Sequence, residues 1–168
     1  MNKMQEIRIE KITLNIGTQG PGEKLEKALK LLNKISGMKA VPTTTNKRIP
    51  TWDVRPGLQI GCKVTIRGKK AEELLDRLLK SNVENITSLK FDSSGNFSFG
   101  VPEYIDIKGI EYDASIGIIG LNVAVTLTRP GFRIKKRTIK QRSIPKKIQI
   151  TKQEAVSFIN QKYNIGVN

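Results

Sequence analysis

Two short stretches space their polar groups as a surface that grips a polyanion would. In ITLNI, residues 12–16, Thr13 and Asn15 alternate with Ile12, Leu14 and Ile16. In QIGCKVTIRG, residues 59–68, Lys63, Thr65 and Arg67 alternate with Ile60, Cys62, Val64 and Ile66. Alternation with period two puts one set of side chains on each face of a strand. Each stretch thus turns an apolar face to a core and offers a hydroxyl, an amide or a cation on the other side, the groups that contact phosphate and sugar oxygens. A sheet with one face simply left in water would alternate in the same way.

Charge favours the ligand face. The chain of 168 residues carries 30 Lys and Arg against 15 Asp and Glu, a net charge of +15, and such self-repulsion calls for an anionic partner. The imbalance is concentrated in RPGFRIKKRTIKQRSIPKK, residues 129–147, with nine basic residues and no carboxylate. Its cations include Arg129, Arg133, Lys135, Lys136, Arg137, Lys140 and Arg142, and Phe132, Ile134, Ile139 and Ile144 are threaded among them. A tail that stays solvated is poor in such residues, so this arm is expected to order against a polyanion. Nucleic acid and anionic membrane are the two candidates. Pro130, Gly131 and Pro145 break the helical pattern that a membrane surface would select, and no run is long enough to span a bilayer.

A second polar cluster lies in VPTTTNKRIPTWDVRPGLQ, residues 41–59, whose loop at 43–58 holds Lys47, Arg48, Arg55 and the only tryptophan, Trp52. A loop of this length is either functional or a flap whose tryptophan folds back on the core. Catalysis has little to work with. There is no histidine, and the single cysteine permits neither a thiolate metal cluster nor an internal disulfide, in keeping with a reducing cytoplasm. Cys62 reads as a small buried hydrophobe. Asp53, Asp76 and Asp92 could serve an RNA-modifying or RNA-cleaving enzyme, yet their spacing defines no site and no phosphate-binding glycine loop is present. No cofactor is expected. A nucleic-acid chaperone without a fixed target is the other alternative.

The positioning elements follow from the same periodicities. Besides the two strands, LNVAVTLT reads as a strand with Val123, Val125 and Leu127 inward, and the parity of Ile7 and Ile9 requires a bulge near Glu10 and Lys11. One helix is predicted to bury Leu25, Ala28, Leu29, Leu32 and Ile35 and to stop at Gly37, and a second to bury Ala71, Leu74, Leu75, Leu78 and Leu79. A third opens on a Thr151/Glu154 capping box behind Ile150 and places Ala155, Phe158 and Ile159 on its apolar side. Arg-Pro-Gly occurs at 55–57 and at 129–131, each suited to a type II turn. The expectation is one α+β domain over residues 1–168, a mostly antiparallel sheet with helices on one face and the other open. Aromatic residues make up only 5% of the chain, so shape and backbone recognition of folded RNA is favoured over base stacking on the sheet.

IEKITLNIG, IGCKVTIRG, FDSSGNFSFGV, IEYDAS and RPGF, in this order and spacing, closely resemble the universal large-subunit ribosomal protein family number five. The resemblance covers nearly the whole chain. RPGF with its basic sequel is similar to the archaeal and eukaryotic members, and the shortness of the C-terminal part to the archaeal ones. It implies a structural protein of the central protuberance in the cytoplasmic large ribosomal subunit. Such a protein binds 5S rRNA, attaches it to the large-subunit rRNA beside neighbouring ribosomal proteins, and meets the elbow of peptidyl-site tRNA through the 43–58 loop. The family's RNA contacts fall on Asn15 and Thr65; a third, usually glutamine, falls on Met38, which cannot donate the two amide hydrogen bonds. Lys47 and Arg55 match cations common in the family loop.

Overall fold

The computed structural model describes residues 2–18, 20–81 and 90–163. Five strands, β1 (Arg8–Gly17), β2 (Val41–Thr44), β3 (Gln59–Ile66), β4 (Phe97–Val101) and β5 (Leu121–Thr128), form one antiparallel sheet in the order β2-β3-β1-β5-β4. Three helices, α1 (Glu23–Ser36), α2 (Lys69–Lys80) and α3 (Lys152–Tyr163), accompany it. The register of β1 slips between Ile9 and Lys11, where the parity change requires it.

Register decides which residues become core. Ile12 faces Ile66 and Val125, Leu14 faces Val64 and Val123, and Ile16 faces Cys62, all of them buried. Phe97, Phe99 and Val101 of β4 join the same apolar face, and the helices' apolar stripes complete a single hydrophobic cluster with it. Helix α2 buries the five residues its spacing predicts. In α1 the buried set is Leu25, Ala28, Leu31, Leu32 and Ile35, while Leu29 is only half-buried. The difference follows from geometry. Residues 28, 31, 32 and 35 recur at three- and four-residue spacing, and a helix lying on a sheet buries that stripe and leaves Leu29 at its edge. Gly37 ends α1 with φ +62°, its N–H donating to the Asn33 carbonyl, in the left-handed conformation glycine tolerates best.

The 92–96 turn joins three elements. The Asp92 carboxylate accepts from the N–H groups of Ser94 and Asn96, and Asn96 Oδ1 accepts from Leu127 N–H of β5. Gly95 has φ +75°, and a Cβ there would stand 2.6 Å from Ile150 Cγ2 and 3.2 Å from Ala155 Cβ. Ile150 and Ala155 bracket the first turn of α3, where the Thr151/Glu154 capping box forms as the sequence predicts. Glu154 Oε2 accepts from Thr151 N–H at 2.9 Å and from its hydroxyl at 3.0 Å. Both Arg-Pro-Gly turns also form, with Gly57 and Gly131 at φ +86° and +93° and the expected bonds from Leu58 N to Arg55 O and from Phe132 N to Arg129 O.

Candidate nucleic-acid interface

Beyond the register slip, the pairing that buries Ile12, Leu14 and Ile16 of β1 sends Thr13, Asn15 and Gly17 to the opposite face, which none of the three helices covers. There Asn15 lies directly between Lys63 on β3 and Asn122 on β5, and Thr13 lies between Thr65 and Ala124. Val41 continues the first row beyond Lys63. Paired side chains on adjacent strands sit about 5 Å apart, so amide, ammonium and hydroxyl groups form one polar grid across three strands. Among the described residues, the side chains of Thr13, Asn15, Lys63 and Thr65 have no hydrogen-bond partner within the chain. Their donors and acceptors are open to solvent or to a ligand. Small residues flatten the rest of the face: Gly17 opposite Gly61, Ala124 opposite Ser98, and Gly100 opposite Asn122. No aromatic ring is in this grid, which suits backbone and shape recognition.

Asn122 is the polar residue that the sequence reading leaves out. LNVAVTLT alternates as cleanly as the two chosen strands, and its outward set, Asn122, Ala124 and Thr126, was legible by the same parity.

At one end of the face, Glu10 accepts from Lys136 Nζ and lies 3.5 Å from Arg67 Nη1. Burial works to raise the pKa of the Glu10 carboxyl, but its hydrogen bond and charge contact with Lys136, and then the charges of Lys11 and Arg67, hold it below the usual carboxylate range. One carboxylate thus holds a cation of the basic arm beside a cation at the end of β3.

The arm is folded. It runs through two short 3-10 turns, Phe132–Lys135 and Lys146–Ile148, and closes on itself through bonds from Arg137 Nε to Lys140 O and from Gln141 Nε2 to Lys135 O. Arg133, Lys135, Lys136, Arg137, Lys140 and Arg142 are all exposed. Ile139 is 78% exposed, so its apolar surface is not absorbed by the protein's own core. Arg129 is placed apart from these cations. It is only 8% exposed, and its guanidinium donates to Glu154 Oε1 at 2.7 Å and to the Ile148 carbonyl at 3.0 Å. Its charge fastens the arm to α3 and does not face solvent.

The β2–β3 loop is a closed hairpin. Thr45 N–H donates to Leu58 O and Gly57 N–H to Thr45 O, while Ile49 and Val54 exchange backbone hydrogen bonds. Lys47, Arg48 and Arg55 are exposed. Trp52 does not fold back: it is 71% exposed. Met38, just past the turn that ends α1, is also exposed, near the start of β2.

Among the described residues, no group of His, Cys, Asp and Glu could hold a metal ion, and no helix is long and apolar enough to cross a membrane. Burial raises the Cys62 thiol to about 11, which keeps it protonated and inert near neutral pH.

Comparison with known proteins identifies the family. Residues 2–55 match the family described as Ribosomal protein L5, and residues 59–158 match the C-terminus of the same ribosomal family. The large ribosomal subunit protein uL5 of Sulfurisphaera tokodaii is 45% identical over 99% of this chain and 95% of its own length. Its namesake from Nanoarchaeum equitans is 43% identical over 98% and 97%, and that of Methanobrevibacter smithii 40% identical over 99% and 98%. The chain therefore belongs to the L5 family of ribosomal proteins, on its archaeal branch, as a structural and not catalytic constituent of the cytoplasmic large ribosomal subunit.

Proposed function

We propose that this protein binds 5S rRNA on the open face of its sheet and helps attach it to the large-subunit rRNA in the central protuberance, beside neighbouring ribosomal proteins. The whole chain acts as one RNA-binding domain with two appendages, the 129–147 arm in rRNA grooves and the 43–58 loop against the elbow of peptidyl-site tRNA. The observation that carries the reading is the row of Lys63, Asn15 and Asn122, three polar side chains in register on a face left open by the helices.

The division of labour follows from the chemistry. Lysines and arginines release counterions from RNA phosphates and supply affinity with a steep salt dependence. Amides and hydroxyls fixed on a rigid sheet select shape and the 2′-hydroxyls that DNA lacks. Arg129 is left out of the RNA-contacting set because its guanidinium is engaged by Glu154 and Ile148. Met38 offers a thioether where the resemblance implies a glutamine amide, so Asn15 and Thr65 bear more of the discrimination.

Binding of the purified protein to 5S rRNA, tRNA and a random duplex of equal length over a salt series tests this. Selective retention of 5S rRNA near physiological salt is the expected result. Equal binding to all three with one salt slope would mean that charge alone is at work, as in a chaperone without a fixed target.

A further inference from the structure

We infer that Trp52 is a stacking platform for an unpaired nucleobase of the RNA that meets the β2–β3 loop, an inference that rests on reading this loop as the tRNA-facing one. The indole is 71% exposed, and among the described residues it has no aromatic or cation–π neighbour. Such a ring is the largest apolar group a chain can leave in water, and a solvated one has its burial still to gain on binding.

The loop holds the ring out firmly. Ile49 N–H donates to Val54 O at 2.9 Å and Val54 N–H returns to Ile49 O at 3.1 Å, closing a six-residue tip whose base is anchored by the buried Val54. Pro50 opens the short 3-10 turn that carries Trp52, and Asp53 follows in the left-handed region at φ +51°. A ring presented on a braced turn loses little conformational freedom when it stacks.

The surroundings select a nucleic acid. Lys47, Arg48 and Arg55 are exposed and, among the described residues, carry no ion pair; Asp53 is the only carboxylate in the loop. Trp52 is also the loop's only exposed large apolar side chain. A protein anchor would be ringed by further apolar surface, whereas an exposed indole on a loop that also carries three exposed cations matches a base face flanked by phosphates, a contact that tolerates any base.

The chain has one tryptophan, so its emission reports this residue alone. Full-length protein is titrated with tRNA, with oligoadenylate, with inorganic polyphosphate as a polyanion without bases, and with 5S rRNA, and binding is followed independently by filter retention. Quenching by tRNA and oligoadenylate but not by polyphosphate is expected. Trp52→Ala should weaken tRNA binding about ten-fold, Trp52→Phe should recover part of it, and 5S rRNA affinity should not change. Saturation with tRNA and oligoadenylate without quenching, or unchanged tRNA affinity in Trp52→Ala, overturns the inference. Should that variant then fail to enter the large subunit, the ring is a protein anchor instead. Selective 5S rRNA binding without quenching overturns the stacking role alone; quenching without 5S selectivity overturns the 5S reading alone.

Discussion

Arg129 Nη2 lies 2.7 Å from Glu154 Oε1, so the first residue of the basic arm is joined to the first turn of α3. The same carboxylate caps that helix through Thr151. The Thr151 N–H, opposed by burial and aided by Arg129, holds the Glu154 carboxyl below its ordinary value of 4.5. A carboxylate depressed in the folded state stabilises above its ordinary value, and that contribution is lost as pH falls through the folded one. Glu154→Gln should therefore cost about 1 kcal/mol near neutral pH, a capping-scale effect in a half-exposed side chain. The difference from the parent should vanish in acid, as thermal melts across pH will reveal.

Asn15 and Lys63 are neighbours in one row, and on the proposed function they differ in what they would give RNA. Lys63→Ala should lower 5S rRNA affinity and reduce the salt slope by roughly 0.7 to 0.9, the loss of one phosphate contact. Asn15→Ala should lower affinity with the slope unchanged, by about 1 kcal/mol. Salt-series binding distinguishes the two, and equal slopes for both variants would remove the division between anchoring cation and selecting amide.

Arg133, Lys135 and Arg142 are exposed and, among the described residues, form no ion pair. Replacing all three by alanine should reduce the salt slope for rRNA by about two to three. Thermal stability in low salt should hold or rise, since the change relieves part of the net charge of +15. Weakened incorporation into the large subunit should accompany the lower slope.

Gly95 has no room for a side chain. Alanine there would meet Ile150 Cγ2 at 2.6 Å with φ at +75°, combining a left-handed penalty of about 1–2 kcal/mol with overpacking of similar size. Denaturant unfolding should register a loss of more than about 2 kcal/mol. A much smaller loss would mean that the 92–96 turn moves freely against α3.

The Cys62 thiol, raised to about 11 by burial, should resist thiol reagents at pH 8 in the native protein and react fully in denaturant. Rapid native labelling would indicate that β3 opens.

The legible parts of this fold are those where one period dominates. Thr13, Asn15, Lys63 and Thr65 reach the open face because strict alternation leaves their strands no other arrangement, and α2 shows its whole buried stripe. β2 is hidden because VPTT carries a proline, which reads as loop; Pro42 is accommodated because β2 is an edge strand. Tyr104, Ile107 and Ile116 are buried from irregular segments with no period to announce them. Arg129 is hidden for a different reason. Among nine basic residues its type is uninformative, and only its distant partner Glu154 sets it apart.

The strand order has a consequence for how the protein is made. The central strand β1 emerges first, but Asn15 meets Asn122 only after more than a hundred further residues have followed it. Such distant pairing is slow to form. The nascent chain therefore carries an unfinished lattice until β5 leaves the exit tunnel, with the cationic arm immediately behind. On the proposed function, selectivity and electrostatic grip would mature almost together at the end of synthesis, so the growing polypeptide would have little opportunity to seize RNA with charge before it could discriminate by shape.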